Sequence, residues 1–480
     1  MTQESTTNRR PPTADGSGHQ SGHTKALILV ATSLGQFMIQ MDLTIVNVAL
    51  PDIGRGLGGS TAGLQWVIDG YSLALASLLL LGGRLGDRSG HKRVYLAGLG
   101  IFGVGSALCA LATSMDALIC FRVLQGIGAA VEMPATLAIL SHTFTRQRER
   151  AQAVGIWAGA AGTSLVIGPV LGGLLTDAFG WPAVFIVNLP VTALVVVLTL
   201  VTVSEAAEPG GGGLDVPGQV LGATAIALLA AGVIEGGQHG FGGGLSLGLL
   251  AGGTASLAVF VAVERTRADP MLPLSYFRRA AYSAANGDGL VMGFVTIGLL
   301  FLYALFFQQV QGNSAAAAGV RFVPLTIAFV IAGPLVGRVI ERVGHRVPMA
   351  VGCAAMGAGC LLLLRVTASS GYAQTAWPFA VIGVGYGLTS TPMAAAVLGA
   401  VPRERAGMAS ATNLTARVIG GVFGVAVLGA LLPAARTGGR SFTAAFTSGL
   451  HTALLVASVI ALAGATAAAA FIRPGPGKPR

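Results

Sequence analysis

The sequence predicts an all-α polytopic membrane protein with fourteen transmembrane helices, arranged as two six-helix bundles plus two extra central helices. Three observations carry this expectation. Of the 480 residues, 53% are hydrophobic and only 10% charged, where a soluble chain carries about 25% charged residues. Apolar runs recur along the whole chain, each long enough for the roughly 30 Å hydrocarbon core of a bilayer; the alternating segments of about ten residues that mark an outer-membrane barrel are absent. Finally, GRLGDRSGHKRVYLAG (83–98) is echoed by GRVIERVGHRVPMAVG (337–352), offset by 254 residues. Such an offset covers eight helices with their loops, so two parallel six-span halves are separated by two additional spans at 217–264.

The elements follow in order. Residues 1–24 are polar and rich in Gly, Pro, Ser and Thr, the composition of a disordered tail. No cleavable signal peptide is expected, because the first apolar run is too long for an h-region. Spans are expected at 25–49, 62–82, 94–112, 116–140, 151–175, 182–203, 217–236, 244–264, 282–310, 317–338, 347–366, 376–400, 407–432 and 447–472. The expected domains are thus a cytoplasmic tail (1–24), an N-terminal bundle (25–203) and a linker with the two extra helices (204–280). A C-terminal bundle (281–472) and a cytoplasmic tail (473–480) complete the chain. Cys109, Cys120, Cys353 and Cys360 all fall inside apolar runs, as small packing residues rather than a disulfide or zinc framework.

Charge sets the orientation. Loops on the side of the N-terminus hold 22 Lys and Arg, the opposite loops hold four, and Arg122, Arg321 and Arg417 lie within spans. The positive-inside rule therefore puts both termini in the cytoplasm of a multi-pass cell-membrane protein. The net charge of +10 reads as orientation and contact with anionic lipid, not nucleic-acid binding, since no basic stripe is interleaved with aromatics. One loop, SEAAEPGGGGLDVP (204–217), breaks the pattern by carrying no Lys or Arg.

Ionisable side chains within spans are costly and mark function by default. Asp42 lies about 25 Å from the inner end of span 1 at 1.5 Å per residue. Arg122 in span 4 and Asp69 in span 2 fall at similar depth, so the three are expected to form one layer. Burial disfavours an ionised carboxylate and a nearby guanidinium favours it, so such a site can load and release a proton. A static Asp42–Arg122 ion pair is the other reading. Glu132 falls on the Gln125 stripe of span 4, either as a substrate-specific acid or as a satisfied polar group. Asp288 and Glu235 fall near the interfaces, where a merely wet acid is the alternative to a functional one, and Arg321 snorkels. Asn413 and Arg417, four residues apart in span 13, line a cavity or bond between helices. With no Walker A sequence and no catalytic triad, the chain reads as a transporter rather than an enzyme. It needs no cofactor or metal and draws its energy from an ion gradient.

The charged turn, with Gly83, Asp87, Arg88, Gly90 and Lys92, resembles the signature of the major facilitator superfamily. Further motifs resemble its fourteen-span drug:proton antiporters: MDLTIVNVALP (41–51), WVIDGY (66–71), RVLQGIGAA (122–130), GTSLVIGPVLGGLL (162–175), FIVNLP (185–190) and MASATNLTARVIGGVFGVAVLG (408–429). The flavour is that of actinomycete antibiotic-resistance and antibiotic-export permeases. The resemblance implies proton-coupled efflux of a small-molecule drug or antibiotic by alternating access, in a protein functional as a monomer; a proton-linked importer or exporter of an endogenous metabolite is the alternative. It implies proton or substrate binding by Asp42, Arg122, Asp69, Glu132, Asn413 and Arg417. Asp87 would latch the inward side shut against basic residues and a helix N-terminus of the other half. In span 5, Gly168, Pro169, Gly172 and Gly173 would govern outward release, the glycines allowing close helix approach and the proline freeing a carbonyl. Family members with dicationic substrates carry acids in span 13; TNLTARVIGG has none, which leaves neutral, zwitterionic or monocationic compounds.

Overall fold

A computed structural model describes residues 22–205, 215–267, 272, 274–402, 405–433 and 440–472. The expected tails lie outside them, except for residues 22–24. Each expected span falls on a helix: α1 (Gly22–Leu57), α2 (Thr61–Ser89), α3 (His91–Ala110), α4 (Met115–Thr143), α5 (Gln147–Phe179), α6 (Ala183–Thr202), α7 (Val216–His239), α8 (Gly244–Thr266), α9 (Ala280–Val310), α10 (Ala315–Arg321 continuing as Val323–Val343), α11 (Arg346–Leu363), α12 (Tyr372–Gly399), α13 (Ala406–Ala430) and α14 (Arg440–Phe471). Thirteen pass as spans by length and hydropathy, and the fourteenth, α2, is one span bent by 51° between Leu79 and Leu81. Ser60, Ser114, Asp215 and Ser314 start helices by accepting a hydrogen bond from the backbone N–H three residues on, which satisfies a donor the helix leaves orphaned.

The sequence echo is structural. α2 ends at Gly90 with φ +92° and α10 ends at Gly344 with φ +73°, and these glycines are 254 residues apart. Their N–H groups close on Gly86 O (3.0 Å) and Ile340 O (2.8 Å), again 254 apart. Only glycine adopts such a φ without strain. Packing repeats as well: α1 on α5, α2 on α4 and α3 on α4 in the first half are matched by α9 on α13, α10 on α12 and α11 on α12 in the second.

The extra pair α7 and α8 pack on each other. α7 docks on α2 and α13, where Trp66, Leu73, Ala230 and Val422 cluster. The start of α7 is reached by a basic residue from beyond α8. Asp215, which caps α7, lies 3.6 Å from Arg267 beyond α8.

The halves close at the end carrying Leu57. There the Asp177 carboxylate of α5 accepts the N–H groups of Ala315 and Ala316 (both 3.0 Å), and Gln308 donates to Val48 O (2.8 Å). At the opposite end, Gly155 and Gly159 of α5 and Gly333 and Gly337 of α10 face open space.

Candidate functional site

A buried polar centre sits inside the first half. Asp42 on α1 is wholly buried and receives the Arg122 guanidinium of α4. Gln125 Nε2 (2.9 Å) and Asn188 Nδ2 of α6 (3.0 Å) donate to its other oxygen. Arg122 in turn donates to Val67 O of α2 (3.0 Å) and Gln125 Oε1 (2.6 Å), and its guanidinium stacks 4.3 Å from the Tyr71 ring centroid. Ser106 of α3 accepts from both Gln125 (2.7 Å) and Asn188 (3.0 Å). Five helices thus converge on one charge pair. The matched depth of Asp42 and Arg122 is legible in the sequence. Ser106 and the roles of Asn188 and Tyr71 are not, although a lone serine or asparagine in an apolar span is the signal that marks such partners.

Asp69 does not join that layer. It lies two residues before Tyr71, which is about 200° around the helix. It shares its face instead with Gln65, four residues earlier, whose amide donates to Val425 O (2.9 Å) and Ala426 O (3.2 Å) of α13. Asp69 is therefore turned to the seam between the halves, fully buried, with neither carboxylate oxygen bonded to a described residue.

Glu132 is also buried and without a hydrogen-bond partner among the described residues. It lies one heptad beyond Gln125, over Gly35, which is one heptad before Asp42. A Cβ on Gly35 would meet its carboxylate 2.5 Å away, so the missing side chain makes the room. Asp288 is not a merely wet acid: it is fully buried, because α9 begins at Ala280 and α11 and α14 cover that turn. Asn413 Nδ2 bonds across to α9, at Ala285 O (3.3 Å) and Asn286 Oδ1 (3.4 Å). Arg417 is half-buried, and its carbonyl packs on Gly293. Glu235 is paired with His239 (2.9 Å), and Arg321 reaches Asn313 Oδ1 (3.0 Å) at the membrane edge.

In the charged turn, Asp87 is 64% exposed, and its ion-pair partner among the described residues is His91 of the same turn (3.6 Å). The turn is also tied to the end of α6: Lys92 donates to Leu200 O (3.1 Å), and Arg93 lies 3.7 Å from Glu205. Arg88 is exposed. Gly83 and Gly90 of the charged-turn motif differ in setting. Gly83 lies inside α2 with only an ordinary 3.7 Å contact to Pro134, while its neighbour Gly82 abuts the α4 backbone at Ala130 and Val131. Adjacent positions differ by about 100° around the helix, and it is Gly82 that meets the α4 backbone. Gly90 is the residue the turn requires.

The α5 stripe splits into two parts. Gly168 and Gly172 pack on Thr44 and Ile45 of α1, Gly173 packs on the Ala315–Ala316 backbone, and the Pro169 carbonyl abuts Gly319 of α10. These four residues form the seam at the closed end.

Repeated six-helix halves, closed at one end and with ionisable groups sealed inside, define a secondary transporter of the parallel-repeat class. Residues 32–425 match the Major Facilitator Superfamily, and the chain belongs to that family as a multi-pass membrane protein. It is 39% identical over 411 residues to the multidrug resistance protein Stp of Mycobacterium tuberculosis, covering 86% of this chain and 76% of that protein. It is 35% identical over 404 residues to the methylenomycin A resistance protein of Streptomyces coelicolor, covering 84% and 85%. Among solved structures, a bacterial homologue of the human lysosomal transporter Spinster, inward-facing and unoccupied, aligns over 93% of this chain and 97% of that one. Its TM-score is 0.66 and its identity 18%.

Proposed function

We propose that this protein exports a drug or antibiotic across the cell membrane in exchange for protons, by alternating access, as a monomer with both termini in the cytoplasm. Relatives named for multidrug and methylenomycin A resistance support the substrate class. The observation that carries the coupling is the sealed Asp42–Arg122 pair.

With the charged turn cytoplasmic, the state described is closed to the outside. In it the Asp42 carboxylate is compensated by Arg122 and two amide donors, the arrangement of an acid that has given up its proton. A proton arriving from outside cancels that charge, frees the guanidinium and loosens the link between α1 and α4. The α5 seam governs opening of the outer end, and the charged turn governs the inner one. One charge moving through 100 mV is worth about 2.3 kcal/mol. A force near 200 mV then supports roughly a thousandfold gradient per proton, at 1.4 kcal/mol per decade.

The test is purified protein in proteoliposomes with an imposed pH gradient, using ethidium and a panel of neutral and zwitterionic antibiotics as probes. Uphill movement of a probe against proton flow, abolished by a protonophore, is expected. Probe movement indifferent to the gradient would overturn the coupling.

A further inference from the structure

The second half holds a carboxylate that the mechanism above does not use. Asp288 is fully buried on α9, and neither of its oxygens is hydrogen-bonded to a described residue. The Cys353 thiol of α11 faces it, and Cys353 Sγ is 3.8 Å from Thr389 Oγ1 of α12. From α14 comes Gly464, where a Cβ would stand 3.3 Å from Asp288 Oδ1. Cys353 is the only titratable group interacting with Asp288 among the described residues. α13 brings the Arg417 backbone against Gly293 of α9, and Tyr386 of α12 turns its ring onto Phe329.

The repeat gives this location meaning. α9, α11, α12 and α14 are the counterparts of α1, α3, α4 and α6, four of the five helices that build the Asp42 centre. The register carries over at the 254-residue offset. Gly98 of α3 packs on the Glu132 backbone of α4, and Gly352 of α11 packs on Gly385 and Thr389 of α12. Counted back from the matching helix starts at Ser60 and Ser314, with the extra residue of the π turn Phe306–Val310 allowed for, Asp288 falls level with Leu34 and Gly35, where Glu132 lies. At this level, about 12 Å below Asp42 along the helix, the first half buries Glu132 and the second buries Asp288; the first half buries a further acid without a hydrogen-bond partner among the described residues, Asp69, on α2. A charge at Asp288 has no cation and only the weak thiol donor of Cys353 to offset its desolvation among the described residues, so the state described accommodates the neutral acid. Asp42, with its guanidinium, accommodates the charged one.

We propose that Asp288 is the exchangeable-proton site of the second half, loaded when Asp42 is empty, so that one transport cycle draws a proton through each half. This rests on the proton-coupled reading of Asp42. Two measurements test it. Infrared pH-difference spectra of the full-length protein in lipid nanodiscs, with no substrate, should show a protonated-carboxyl band that Asp288→Asn removes and Asp288→Glu shifts. An unchanged band pattern in Asp288→Asn would overturn the proposal, leaving Asp288 a permanently protonated packing group. In proteoliposomes, exchange of the monocation ethidium for two protons moves net charge, so the parent rate should rise with membrane potential. Asp288→Asn should keep pH-driven ethidium exchange and lose that voltage response; a retained response counts against the site. A parent with no pH-driven exchange would instead sink the coupling reading, and the infrared result would still decide Asp288.

Discussion

Asp42 and Arg122 form a charge pair that is 0% and 1% exposed, held between α1 and α4 by Gln125, Asn188 and the Val67 carbonyl. Breaking such a pair from one side strands the other charge, at a cost of about 3–5 kcal/mol. Arg122→Ala should therefore lower thermal stability in detergent by an amount of that order. Asp42→Asn, which keeps the shape and leaves a neutral acceptor, should be milder in stability. It should nevertheless lose substrate-induced proton release. Calorimetry and a pH electrode on purified protein check both; full proton release by Asp42→Asn would make the pair structural.

The charged turn should behave in the opposite way. Asp87 is largely exposed and its ion-pair partner is a half-buried histidine, so Asp87→Asn should change stability by no more than about 0.5 kcal/mol. If the turn engages the other half when the inner end closes, as proposed, export should fall at least tenfold. Normal efflux by this variant at normal membrane abundance would show that the turn only sets topology.

Asp177 offers a handle on the outer end. Its carboxylate accepts two N–H groups at the start of α10, where the helix dipole adds to the attraction. Asp177→Ala removes both bonds, and Gly173→Val drives side-chain atoms into the Ala315 backbone. Each should shift the population toward an open outer end. Spin labels at Phe179 and Tyr372, both exposed at that end, should report longer distances than in the parent. An unaltered distance distribution in both variants would refute the seam as the outer gate.

Much of this was legible in the sequence, for physical reasons. Span length and apolarity are local properties, so the helices fall where hydropathy puts them. The Gly90–Gly344 echo survives because both turns need a positive φ. Depth is also legible, since rise per residue is constant, and it brings Asp42 level with Arg122. Rotation about a helix is not, because it depends on which neighbour each face meets. Asp69 was grouped with Asp42 on depth, yet its face turns to α13. Asp288 looked interfacial from its place near a span end and is buried because α11 and α14 cover that turn. Gly82 and Gly83 are indistinguishable until the rotation of α2 selects one.

Orientation has its own test. Gln238 lies near the end of α7, between the two extra helices, and the positive-inside count puts it outside. A cysteine there should react with a membrane-impermeant maleimide added to intact cells, while one at exposed Ser89 should react only after the membrane is opened. Labelling of Ser89→Cys in intact cells would invert the topology.

Glu132 closes the set because it separates stability from function. A buried acid with no partner is a stability liability, and replacing buried polar groups by well-packed apolar ones of similar volume is often neutral or stabilising by about 1–4 kcal/mol. Glu132→Met keeps the length of the side chain and fills the space over Gly35, so its thermal midpoint should match or exceed that of the parent. A protein that keeps a destabilising residue at such a position does so for activity when the stabilised variant works less well. Glu132→Met should accordingly export more slowly, with Glu132→Gln intermediate in rate. If Glu132→Met is both more stable and fully active, Glu132 takes no part in transport, and the acids of this half that matter are Asp42 and Asp69.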